Sequence, residues 1–172
     1  MEKNNSLKLN NKGLSLLELI VVIAIMAVIG TASYLATSVA TDKHVSSCAN
    51  KISASIEQTR SITLGKRSGY ILIWQDPGND VFCQMYVDGK KYGNEASIGH
   101  SGLTVTVNYT DGTNAVLSSL GASNPVMIEF SRSNGGVISS PAVSSFTVTN
   151  TRMTWTVKID TYTGRVECYK EP

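Results

Sequence analysis

The polar and apolar positions divide the chain into three stretches with different periods. From Leu14 to Ile29 nearly every position is aliphatic, and no charged residue occurs between Leu19 and Thr41. A helix of that length and character is long enough to cross a hydrocarbon layer. Beyond it, Val45, Cys48, Ala49, Ile52, Ile56, Thr59 and Thr63 recur at helical spacing. Lys43, Lys51, Glu57 and Arg60 fall largely outside that stripe. The pattern predicts that the helix continues with one apolar face and ends near Gly65, just before Lys66 and Arg67. About fifty residues of helix span roughly 75 Å at ~1.5 Å per residue.

From Gly69 onward the period shortens to two. Tyr70–Trp74, Val81–Val87, Leu103–Tyr109, Val126–Phe130, Ser145–Thr149, Met153–Ile159 and Arg165–Tyr169 read as strands. Asp88-Gly89, Asp111-Gly112, Ser133-Asn134-Gly135-Gly136 and Thr163-Gly164 stand where strands would reverse. Trp155, Val157 and Ile159 alternate with Thr154, Thr156 and Lys158, the pattern of a strand with one wet face. The fold class predicted is α+β, a long N-terminal helix laid against an antiparallel sheet.

The 42% apolar content of the 172 residues is concentrated near the N-terminus, so the remainder is the more polar part. Charge is divided too. Of fifteen basic and thirteen acidic residues, Met1–Gly13 holds three lysines and one glutamate, which leaves twelve of each beyond it. No global basic field survives there to attract nucleic acid. Lys3, Lys8 and Lys12 before the apolar run place the N-terminus in the cytoplasm and the bulk of the chain outside.

One carboxylate breaks the apolar run. An ionisable group inside such a span costs several kcal/mol unless it is paired or interfacial, so Glu18 asks for a partner. A secretory signal peptide would gain nothing from it, although Ser38-Val39-Ala40 has the small-residue form of a signal-peptidase site.

The segment Lys12-Gly13-Leu14-Ser15-Leu16-Leu17-Glu18-Leu19-Ile20-Val21-Val22-Ile23-Ala24-Ile25 resembles the processing motif of type IV prepilins and pseudopilins. The resemblance covers about the first thirty residues. It implies cleavage between Gly13 and Leu14, methylation of the new amino group on Leu14, and an assembly role for Glu18. It divides the chain into a leader (1–13), a transmembrane and assembly half of the helix (14–41), an amphipathic half (42–65) and a β-rich head (66–172). The fold implied is the type IV pilin fold. The implied partners are a prepilin peptidase that also methylates, sister pilins, an assembly ATPase with its platform protein, and membrane lipid before assembly. The resemblance implies a subunit of a pilus-like filament, not an enzyme, held in the cytoplasmic membrane and then added to an extracellular or periplasmic filament. A pseudopilin of type II secretion and a DNA-binding minor pilin are the alternatives.

Two departures stand out. Leu14 occupies the place where phenylalanine is usual, and no proline precedes Pro77, which leaves Gly30 as the helix's soft point. Ile159-Asp160-Thr161-Tyr162-Thr163-Gly164-Arg165-Val166 resembles the closing hairpin of minor pilins and H-type pseudopilins. Some relatives with Gly-Arg-x-Arg at this turn bind DNA. Here Glu167 stands in place of the second arginine and would repel a phosphate backbone.

The three cysteines lack metal or redox spacing, and three pairings are open to them. Pilin heads often close a C-terminal loop with a disulfide, which makes Cys83–Cys168 the first expectation and Cys48–Cys83 the second. The two histidines lack metal-binding spacing. The chain contains no phosphate-binding glycine loop, nucleophile turn or zinc-protease pair, so no cofactor or metal is expected.

Overall fold

The computed structural model describes residues 16–65, 67–100 and 102–172. The chain divides into two units, 1–38 and 39–172. The first helix, α1, is Leu16–Leu64. Its start lies in the first unit, where every described side chain from Leu16 to Ile29 is exposed. Leucine, alanine and methionine favour helix, and no proline interrupts them. A helix apolar on all sides is of the kind that normally lies buried.

In the second unit α1 has two faces. Val45, Cys48, Ala49, Ile52, Ile56 and Thr63 are 0% exposed, and Thr59 is 1%. The stripe read from the sequence is therefore the buried face. The two threonines are tolerated there because their hydroxyls donate back along the helix, Thr59 to Ser55 O at 2.8 Å and Thr63 to Thr59 O at 3.0 Å. The helix stops at Leu64, and the Gly65 amide closes the last turn on Ile62 O at 3.1 Å.

The strands that follow are β1 (Gly69–Gln75), β2 (Val81–Val87), β3 (Lys90–Gly99), β4 (Thr104–Tyr109) and β5 (Asn114–Val116). A single turn of helix, α2 (Leu117–Leu120), leads to β6 (Val126–Glu129), β7 (Val143–Thr149), β8 (Thr154–Ile159) and β9 (Val166–Lys170). β1 opens on a glycine, and a Cβ at Gly69 would run into the Thr63 hydroxyl. The strands form two antiparallel sheets, not the one expected: β3-β2-β1-β6 and β5-β4-β7-β8-β9. One apolar cluster draws on the α1 stripe, both sheets and Leu117.

β1 and β2 pair in the register Tyr70↔Tyr86, Ile71↔Met85, Ile73↔Cys83 and Trp74↔Phe82. Ile71, Ile73 and Cys83 enter the core. On the other face Tyr70 stacks on Tyr86 with ring centres 4.7 Å apart, and Trp74 on Phe82 at 6.0 Å. Such cross-strand aromatic pairs are the units that fix sheet register. The turn into β3 has Asp88 at φ 51° and Gly89 at φ 75°, the paired left-handed residues of a tight hairpin.

β3, β5 and α2 lie outside the elements predicted from sequence. β3 has eight exposed residues among its ten, and two shifts of register against β2. Without alternation it carries no strand signal. In the second sheet Val105, Val107, Phe146, Val148, Val157 and Ile159 face inward. The outer face aligns Thr106, Thr147 and Thr156 across three strands. Thr156, expected to be wet, is only 6% exposed, and its hydroxyl donates to Glu171 Oε1 at 2.6 Å.

Candidate functional site

Gly13 and Leu14, the expected cleavage and methylation positions, lie outside the described residues, as does the whole leader 1–13. Glu18 is described. It sits in the first described turn of α1. Around it Leu16 is 76% exposed, Leu17 74% and Met26 67%, with Leu19, Ile20, Ile23, Ile25 and Ile29 each above half. So much contiguous aliphatic surface is the signature of a segment covered by lipid or by other chains.

The expected transmembrane half, 14–41, extends past the described side chains at both ends. Among the described residues no helix is long and apolar enough to cross a membrane.

In the second unit α1 grips the C-terminal hairpin. Arg60 Nε donates to Thr163 O at 2.7 Å, and the Val166 amide donates to Glu57 Oε1 at 2.9 Å. Arg60 and Glu57 pair with each other at 3.4 Å. The β8–β9 turn is also fixed from within. Asp160 Oδ1 accepts from the Tyr162 and Thr163 amides at 2.9 and 3.2 Å, and these two donors hold its carboxyl below the usual carboxylate range. From the loop before β7, Asn134 Nδ2 donates to Tyr162 O at 2.9 Å. Gly164, at φ 66°, has no room for a side chain, because a Cβ there would run into Gly135 O.

Sequence reading placed Glu57 and Arg60 outside the buried stripe and gave them no partner. Their oppositely charged spacing at i and i+3 was the signal, and the partner residues lie a hundred positions away. Arg165 and Glu167 line a cleft of about 560 Å3 beside this turn, together with Thr110, Ser144, Lys158 and Tyr162.

All three cysteines are free. The expected Cys83–Cys168 bond is absent: both thiols are free, Cys83 on β2 of one sheet and Cys168 on β9 of the other. The second pairing, Cys48–Cys83, is not formed either. Cys83 Sγ donates to Ser55 Oγ at 3.6 Å, while Cys48 packs against Gly99 two turns back along α1. Burial pushes the Cys48 thiol up to about 12 and raises that of Cys83.

His44 and His100, far apart in sequence, meet edge to face with ring centres 5.8 Å apart, and His100 Nδ1 lies 3.8 Å from Asp80 Oδ1. Among the described residues no three ligands gather into a metal site.

No curated protein and no solved structure matches the chain. Residues 8–34 match the family model of the prokaryotic N-terminal methylation motif. The stretch that brackets Glu18 and the exposed aliphatic start of α1 is thus the signal motif of the type IV pilins and pseudopilins, and the chain carries it in full view of its sequence.

Proposed function

We propose that this chain is a structural subunit of a type IV pilus-like filament. A prepilin peptidase cuts it between Gly13 and Leu14 and methylates Leu14. It waits in the membrane with its N-terminus in the cytoplasm, and is then drawn into a filament by an assembly ATPase and platform protein. The observation that carries the reading is Glu18, an acidic side chain among exposed aliphatics within the matched motif.

Cleavage frees an ammonium on Leu14, and a neighbouring subunit shifted one step along the bundle brings that charge to Glu18. Opposite charges in a water-poor bundle attract strongly, and the pair offsets the burial cost that either would bear alone. Axial register is specified by that pair, and the aliphatic surface around it supplies the packing area. In this reading α1 is one long helix in the pilin manner, a membrane half followed by an amphipathic half on the head.

The test is Glu18→Ala in the native host. Cleavage should proceed, seen as an N-terminal mass beginning at Leu14, while incorporation into sheared filaments falls several-fold. Incorporation equal to wild type would refute the assembly role, and a native chain beginning elsewhere than Leu14 would refute the processing.

A further inference from the structure

The outer face of the first sheet is built in rows across β1 and β2. Tyr70 stacks on Tyr86 and Trp74 on Phe82, and between these pairs the register sets Leu72 against Gln84. The aromatic rows stand about 14 Å apart, four residues at ~3.4 Å each, so the shorter row between them is the floor of a trough. Its ends are bounded too. β3 contributes Lys91 and Glu95 beside β2, and the segment between α2 and β6 contributes Ala122 and Pro125 beside β1. The volume, about 350 Å3, is in the size range of small-ligand sites.

Gln84 sets the chemistry of the floor. It is 4% exposed, and its Nε2 donates to Met85 O at 2.9 Å and to Tyr92 O at 3.2 Å. Two carbonyls can be answered only by the NH2 end of an amide, so the group's orientation is fixed and its oxygen is left as an open acceptor. An acceptor so far from bulk water favours a ligand that brings a donor to it. Opposite Gln84 the β3 strand bulges. Between the pairs Cys83↔Ala96 and Met85↔Tyr92 it advances four residues against two on β2. That excess brings Glu95 to the trough, in the way bulges beside sites re-aim a side chain.

Trp74 has one face against Phe82, on the β2 side, and the other turned toward β6. One cation and one carboxylate line the trough, so its charge is balanced. We propose that the trough binds a neutral saccharide. A pyranose with equatorial hydroxyls lays an apolar C–H face on Trp74. One hydroxyl donates to the Gln84 oxygen, and others donate to Glu95 and accept from Lys91. A proline-rich peptide also suits an aromatic groove, but it needs an extended run with open ends, and β3 and the α2–β6 segment bound this one.

The test titrates the full-length chain with cellobiose, whose ring substituents are equatorial, in a zwitterionic detergent without a sugar headgroup. No filament is required, so the result is independent of the proposed assembly role. Saturation-transfer NMR should show binding with a Kd of about 1 mM or tighter. Trp74→Ala should weaken it about tenfold, the scale of one aromatic contact, and Trp74→Phe should restore most of the loss. Glu95→Gln and Lys91→Gln should each weaken it about threefold, at an unchanged thermal midpoint. Glu95→Gln, on an exposed edge strand, carries the test if Trp74→Ala does not fold. Anionic cellobiouronate should bind no tighter than cellobiose. No saturable binding of cellobiose at millimolar concentration, wild-type affinity in folded Trp74→Ala or in Glu95→Gln, or a preference for cellobiouronate would overturn the proposal. Tighter binding of acetyl-triproline amide than of cellobiose would overturn it in favour of a peptide.

Discussion

Arg60 Nε and the carbonyl oxygen of Thr163 lie 2.7 Å apart across 103 residues of sequence. Charge assistance and the low exposure of the Arg60 side chain, 17%, make the bond worth more than a surface contact. Arg60→Ala should cost about 1–2 kcal/mol, and Glu57→Ala, which strands the Val166 amide, about as much. Urea unfolding of each single variant and of the pair checks this. Because the residues share one network, the double variant should lose less than the sum. A strictly additive pair would show that they act separately.

Gly164 and Gly112 both have positive φ, 66° and 85°, but only Gly164 is hemmed in. A Cβ at Gly112 meets nothing within 4 Å, whereas one at Gly164 meets Gly135 O. Gly112→Ala should therefore show only the backbone cost, about 1–2 kcal/mol. Gly164→Ala should cost more than that, because the hairpin must part from the 131–137 loop. Equal losses in thermal unfolding would mean that the close approach carries no weight.

The three thiols should differ in reactivity. Burial disfavours all three thiolates, but Cys48 and Cys83 are buried outright while Cys168 is partly exposed on an edge strand. Iodoacetamide at pH 8, followed by peptide mass analysis, should label Cys168 first and reach Cys48 only after denaturant is added. Early labelling of Cys48 in the native chain would contradict the packing of α1 against Gly99.

Backbone and hydroxyl donors hold Asp160 and Asp111 below the usual carboxylate range. The unfolded chain then binds more protons than the native one as pH falls through about 4, so their stabilisation is present above that value and is lost progressively below it. The Tm should be nearly flat from pH 7 to about 5 and decline below about 4. Asp160→Asn keeps an acceptor for the turn but cannot titrate, so its decline should be shallower. The same acid slope in that variant would remove Asp160 from the explanation.

What the sequence made legible followed from period. All seven residues of the predicted helix stripe are buried, and β2 has the bounds read from alternation, Val81–Val87. β3 was illegible because an edge strand facing water on most sides has no reason to alternate. The division into two sheets was illegible as well, since nothing local tells β4 to join β7 and not β1. Glu18 was legible as an anomaly, because a single acid within a run of aliphatics stands out from the sequence alone. The cleft was not. Thr110, Ser144 and Lys158 come from three separate segments and meet only through the β4–β7–β8 pairing.

The bonds from α1 to the far end of the chain also set an order of events. Asp42 waits for Asn150, Glu57 for Val166 and Arg60 for Thr163, each more than a hundred positions downstream. A polypeptide emerging N-terminus first can wind its helix and pair β1 with β2 early, since those contacts are local. The helix flank that meets the last hairpin stays bare until nearly the whole chain has been delivered. Completion of the second unit is thereby tied to the arrival of residues 150–166, and a ribosome that stalls before them leaves the domain open on that side.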